Sequence, residues 1–234
     1  MAVRVSVDII NVVAKLPTSP ALHGLLTKGP VSKRTKGQVI QTTDGAKIFY
    51  LVKSGYIKRY LISNEGSLGV QVIYGPGDVF PLTAVFRNLF GHDINDGPET
   101  YYYQAMSNVE TYTIDLPSLI EEIDKDPMLY RGLFREAGRR LESTLQGLEN
   151  LRMKTSYNRV AHQLVYLARQ FGQPAPNGIK ICAPITHQDI ADVLGVTRET
   201  VSNSITQLRK AGLIKTGKHI VITDIEKLEE EAHQ

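Results

Sequence analysis

Five polar residues of the stretch from Arg198 to Thr206 have the types and spacing for chemistry: Arg198, Glu199, Ser202, Asn203 and Thr206. At roughly 100° per residue they share one side of a helix, while Val201, Ile205 and Leu208 share another. The chemistry open to such a face is recognition of base edges. An arginine can fork onto the two acceptors of guanine, and a carboxylate can accept from the amino group of cytosine. A polar stripe is also the ordinary outer surface of an amphipathic helix. Two features favour a reading face. The stripe begins at the helix N-terminus, the end that enters the major groove in a helix-turn-helix. A hairpin then follows, with Lys215 and Lys218 near its tip and a strand over 219–222, and its lysines would sit near phosphates.

Such a face has to be aimed by the elements around it, and the preceding residues supply them. Thr186 and Asp189 have the spacing of a capping box, which starts a first helix. Ile190, Ala191, Val193 and Leu194 give that helix a buried face, and Gly195 allows the tight turn that follows it. Thr197 can cap the second helix and stand at the edge of the reading face. Ala191, Gly195 and Val201 fall where a helix-turn-helix needs a small contact residue, a turn glycine and a core residue.

The run Ile190-Ala191-Asp192-x-Leu194-Gly195-x-Thr197-Arg198-Glu199-Thr200-Val201-Ser202, closing on Leu213-Ile214, resembles the DNA-binding domain of the cyclic-AMP receptor/fumarate-nitrate regulator (CRP/FNR) superfamily of bacterial transcription factors. The resemblance implies that Arg198 and Glu199 contact base edges. A second arginine usually stands in that family where this chain has Asn203, so the outer part of the recognition sequence should differ. Upstream, the short alternating runs 48–52, 56–61 and 68–74 are separated by turn signals and indicate an antiparallel sandwich or roll. Gly37, Phe49 to Val52, Ser54-Gly55 and Gly75-x-Gly77-Asp78 resemble the cyclic-nucleotide-binding roll of the same superfamily.

The ligand pocket departs from that pattern. Where the family's nucleotide binders carry a Gly-Glu pair and then an Arg-Ser/Thr pair, this chain places Pro81-Leu82 and Glu99-Thr100. A carboxylate at the phosphate position repels an anion. The connection 83–98 reads as an extended loop, with Arg87 as a substitute cation. An apolar pocket for an unidentified small organic effector would draw on Phe80, Leu82, Arg87, Glu99, Thr100, Tyr101 and Tyr103, with Phe86 and Phe90 nearby. The alternative is that the alternate aromatics fill the roll's core. Cyclic-nucleotide gating, or haem gating through His92, is the rival regulatory reading. A further rival makes the roll itself the business end of a regulatory module.

Composition narrows the classes. Residues 157–223 hold eight Lys/Arg against three Asp/Glu, and 224–234 hold one lysine against five acids. A basic domain ahead of an acidic terminal helix suits DNA binding. The single cysteine, Cys182, excludes an internal disulfide framework and a cysteine-ligated iron–sulfur cluster. It sits in the apolar run 179–185 and reads as structural. No cofactor is implied. No metalloprotease HExxH, phosphate loop or GxSxG turn occurs, so the chain is not expected to be an enzyme. The short apolar patch 9–14 behind Asp8 does not read as a secretory signal, and no run reaches membrane-spanning length. A cytoplasmic location is expected.

Between roll and helix-turn-helix lies a helical region. Leu116-Pro117-Ser118 opens a short helix, and Asp126-Pro127 opens a long one with proline in its first turn. Phe134, Gly138, Leu141, Leu145 and Leu148 alternate by four and three, as in a coiled-coil seam. In the family this helix is the dimer axis. The expected α+β chain therefore has an N-terminal segment over 1–30 without an assignable role, and an antiparallel β-roll over 31–125. A dimerisation helix over 126–154 and a winged helix-turn-helix over 155–234 complete it. Its expected partners are double-stranded DNA, a second copy of itself and RNA polymerase.

Overall fold

A computed structural model describes residues 19–42, 47–62, 68–91 and 101–233. The chain divides into two compact units, one over Pro17–Glu142 and the other carrying Ser143–Gln234. In the first unit, eight strands form two antiparallel four-stranded sheets. They are β1 (Val31–Arg34), β2 (Val39–Thr42), β3 (Ile48–Ser54), β4 (Ile57–Ile62), β5 (Leu68–Tyr74), β6 (Val79–Phe80), β7 (Tyr102–Ala105) and β8 (Val109–Asp115). One sheet runs β1-β8-β3-β6 and the other β2-β7-β4-β5. This is the expected roll. Gly55 makes the sharp step from β3 to β4 with φ of +84°, and a Cβ there would lie 2.2 Å from the Asn108 carbonyl oxygen. Only glycine satisfies both conditions.

The roll's interior is aromatic. Phe80 stacks on Tyr50 and on Tyr103, each with ring centroids 4.8 Å apart, and Tyr74 lies 5.1 Å from Phe80. These rings belong to one buried cluster with Val52, Ile57 and Ala105. A second cluster draws in the helices. Leu22 and Leu26 of α1 (Pro20–Leu26) are fully buried with Phe49, Leu51, Leu119, Ile123 and Leu133. The last residues of the segment without an assignable role thus supply part of the roll's core.

The extended loop expected over 83–98 is a correction. Residues Leu82–Phe90 form a helix, α2, with Ala84 and Val85 buried against the core. Small and branched residues at its centre turn inward while Phe90 stays 66% exposed, so amphipathic packing overrides the reading as a loop. His92 and the rest of that stretch to Pro98 lie outside the described residues.

Two further helices follow, the second of which belongs to this unit only as far as Glu142. The first, α3 (Leu116–Lys125), is capped by Asp115, whose side chain accepts from the Ser118 amide. The second, α4, runs from Pro127 to Glu149. On α4, Arg139 reaches Asp78 of the Gly75–Asp78 turn at 2.7 Å and Glu136 at 2.5 Å. The other Asp78 oxygen accepts from the Gly75 amide at 2.7 Å. Burial works against the guanidinium charge, but Asp78 and Glu136 outweigh it and raise its pKa. Arg140 covers the Tyr74 ring at 4.6 Å. The helix is therefore clamped to the roll by charge and ring contacts.

The second unit holds α5 (Ser156–Phe171), β9 (Gly172–Ala175), β10 (Gly178–Ile181), α6 (His187–Leu194), α7 (Arg198–Lys210), β11 (Ile214–Thr216), β12 (Ile220–Ile222) and α8 (Ile225–His233). Its sheet runs β11-β12-β10-β9. Tyr157 and Asn158 of α5 bind the side chain and carbonyl of Glu231, which holds α8 against α5.

Candidate nucleic-acid interface

Helices α6 and α7 are set by the residues whose spacing announced them. Thr186 accepts from the Asp189 amide at 3.1 Å, and the Asp189 carboxylate accepts from the Thr186 amide at 3.0 Å. The capping box is complete. Gly195 ends α6 in the left-handed conformation at φ of +63°, where a side chain would be strained. Thr197 then caps α7 by accepting from the Thr200 amide at 3.1 Å. Val201, Ile205 and Leu208 are buried, and this orients the opposite face of α7 to solvent.

On that outer face the five polar residues divide into two groups. Arg198, Glu199 and Asn203 are exposed, and their side chains make no hydrogen bond or ion pair among the described residues. Ser202 and Thr206 are engaged at home. The Ser202 hydroxyl donates to the Arg198 carbonyl at 2.9 Å, and the Thr206 hydroxyl donates to the Ser202 carbonyl at 2.9 Å. The Ser202 oxygen also lies 2.9 Å from Nδ1 of His187, the first residue of α6. With the serine proton committed to Arg198, that contact has His187 donating. Ser202 thus ties the two helices together and has no proton left for a base. His187 was not singled out in the sequence, because a pairing fifteen residues apart depends on how the two helices cross.

Lys215 on β11 and Lys218 in the turn beyond it are exposed, at the edge of the unit formed by the β11–β12 hairpin. The helix end bearing Arg198 and Glu199 offers forked donors and a carboxylate acceptor, and the hairpin offers point charges. That combination suits base edges and phosphates respectively. Cys182 is half-buried, and burial pushes its thiol pKa up, which disfavours a reactive thiolate.

The residues expected around an effector pocket are dispersed. Phe80 and Tyr103 are fully buried in the aromatic stack. Burial raises the Tyr103 phenol well above its ordinary value, with Tyr74 acting the same way and Arg59 against it. Tyr101 lies under the Arg59 guanidinium at 4.6 Å. Arg59 also donates to Gln71 at 2.7 Å. Leu82 opens α2 and packs against the helical core, and Arg87 sits half-buried in that helix's last turn. Glu99 and Thr100 lie outside the described residues. Along α4, Phe134, Leu141, Leu145 and Leu148 are 81, 61, 52 and 53% exposed. A side chain added at Gly138 would meet nothing within 4 Å.

Residues 158–231 match the family model of the Crp-like helix-turn-helix domain. Among curated proteins, the chain is 29% identical over 180 residues to the CRP-like cAMP-activated global transcriptional regulator of Mycobacterium tuberculosis. That match covers 76% of this chain and 77% of the relative. Among solved structures, the fold is similar to a CooA mutant from Carboxydothermus hydrogenoformans, with a TM-score of 0.71 at 22% identity, covering 94% of this chain and 97% of that one. FixK2 from Bradyrhizobium japonicum gives a TM-score of 0.69 at 22% identity, covering 86% and 96%.

Proposed function

We propose, from the premise that this chain belongs to the CRP/FNR superfamily of transcription regulators, that it acts as a homodimer on an inverted-repeat operator without help from a cyclic nucleotide. The observation that carries the reading is the unengaged trio on the exposed face of α7, Arg198 and Glu199 at its N-terminal end and Asn203 about one turn further on. Polar groups left unspent at that end of a recognition helix are the ones that can reach base edges. The dimer reading rests on the apolar stripe of α4, whose four large residues are each more than half exposed in the single chain. Two copies pairing along it would present two recognition helices to adjacent major grooves, with half-sites about one helical turn apart.

Independence from cyclic nucleotide has two supports. Leu82 provides no group for a ribose hydroxyl, and the stack of Tyr50, Phe80 and Tyr103 occupies the roll's interior. The Mycobacterium tuberculosis relative is cAMP-activated by name, and this chain parts from it on that point. Two ionic features of the roll are engaged internally: Arg139 pairs with Asp78 and Glu136, and Arg59 is held by Gln71 and the Tyr101 ring.

Selection of bound sequences from random DNA tests the function directly. The expected product is an inverted repeat, and Arg198→Ala should weaken its binding by about 1–3 kcal/mol and relax preference at one G·C pair of each half-site. An equal loss on every sequence would make Arg198 a phosphate contact and remove the reading face.

A further inference from the structure

An open groove of about 660 Å³ lies between α2 and α4 in the first unit, walled by Phe86 and Phe90 on one side and by Tyr130, Phe134 and Ala137 on the other. The Phe86 and Phe90 rings are 6.2 Å apart, and Phe90 and Phe134 are 66% and 81% exposed. Rings gathered in this way at a surface are a mark of an interaction site.

The sequence register of α4 identifies the occupant. The stripe Phe134, Gly138, Leu141, Leu145 and Leu148 alternates by four and three, which makes Phe134 a d position and Gly138 an a position. Carrying the register back places Arg131 at a, Tyr130 and Ala137 at g, and Arg135 at e. Five of the six α4 residues on the groove therefore occupy the seam or its flanks. The sixth, Leu133, is buried in its own unit and forms the floor. The groove and the coiled-coil seam are one continuous surface.

We infer that the groove is the N-terminal end of the dimer seam and is filled by α4 of a second copy of this chain, which makes α2 part of the interface. The inference rests on the α4 pairing proposed above. In a parallel pair the two Phe134 side chains face each other, and each α2 flanks the pair on the g side of its own α4, where Tyr130, Leu133 and Ala137 line the groove. Two-fold symmetry repeats the contact on both sides. The lining offers almost no polar atom with which to orient a small ligand, and ligand pockets depend on a few such groups. Because α2 follows β6 with one residue between them, the roll and the seam become mechanically joined.

The test uses the full chain. Phe90 is mostly solvent-exposed within its own unit, so Phe90→Asp should leave the circular dichroism spectrum of the folded protein unchanged. The dimer dissociation constant from sedimentation should rise about 100-fold, a decade for each of the two symmetry-related rings. An unchanged constant in a protein that is otherwise dimeric would overturn the groove assignment and leave the α4 pairing standing. Wild-type protein that sediments as a monomer at micromolar concentration would overturn the pairing and the groove together. Leu145→Glu, lower on the stripe and away from the groove, serves as the separate test of pairing and should give monomer. A photo-crosslinking benzoylphenylalanine at position 90 gives a second readout should the aspartate variant misfold. It should form an interchain product mapping to the partner's α4, and intrachain products alone would contradict the proposal.

Discussion

The recognition helix and the Gly75–Asp78 turn of the roll both gather charged groups, and the two regions use them in opposite ways. At the start of α7, Arg198 and Glu199 are exposed and lack partners among the described residues. At the roll, Asp78 and Glu136 are buried and both engage Arg139. The difference separates recognition from architecture. A charge left in water costs little to hold and can be redirected to a ligand, whereas a buried charge must be satisfied in place. The two sites should therefore respond differently to removal of an arginine.

The largest effect is expected at the roll. Arg139→Ala strands two buried carboxylates and should destabilise the first unit by about 3–5 kcal/mol, measured by chemical unfolding. A loss within the range of an ordinary surface substitution would show that the cluster relaxes onto water. Arg198→Ala is the counterpart and should leave unfolding unchanged while weakening operator binding by about 1–3 kcal/mol. Fluorescence anisotropy with the selected operator and with a scrambled one distinguishes lost specificity from lost affinity. Lys218→Ala should have a smaller and uniform effect on both DNAs, lowering the slope of log affinity against log salt by about 1. A sequence-dependent loss there would mean that the hairpin reads bases.

The smallest effect concerns His162 of the second unit. Burial holds its imidazole below the ordinary value, His233 and Arg169 act the same way, and Glu149, at 3.8 Å, acts against them. A depressed folded-state value means that the unfolded chain binds the proton more readily, so stability falls as pH drops below about 6.5. His162→Gln should flatten that acid-side decline in melting temperature and leave the profile above neutrality unchanged. A mutant profile that parallels the wild type would place the acid sensitivity elsewhere.

The same comparison explains what was legible in the sequence. The capping box of Thr186 and Asp189, the left-handed Gly195 and the buried trio Val201, Ile205 and Leu208 are set by local spacing, and local rules found them. The polar face of α7 was also visible, but its division was not. The commitment of the Ser202 and Thr206 hydroxyls to backbone carbonyls depends on rotamers, and the His187 link depends on the helix crossing. The roll's strands were announced by alternation and turn glycines, whereas the Asp78–Arg139 pair joins residues 61 positions apart and no short-range pattern encodes it. Helix α2 was legible in principle, because Leu82, Val85, Phe86, Leu89 and Phe90 recur at helical spacing, a signal that reading 83–98 as one loop left unused. Leu82 and Leu89 pack against the unit's own core, whereas Phe90 stays exposed beside the groove.

In the proposed function, the second unit's unspent polar face acts without a nucleotide signal from the roll. Titration of the selected inverted-repeat DNA with the purified full chain, in the absence and in the presence of cyclic AMP or cyclic GMP, tests it most directly. The prediction is tight, salt-dependent binding whose dissociation constant is the same in all three conditions. Binding that appears only when a cyclic nucleotide is added would contradict it.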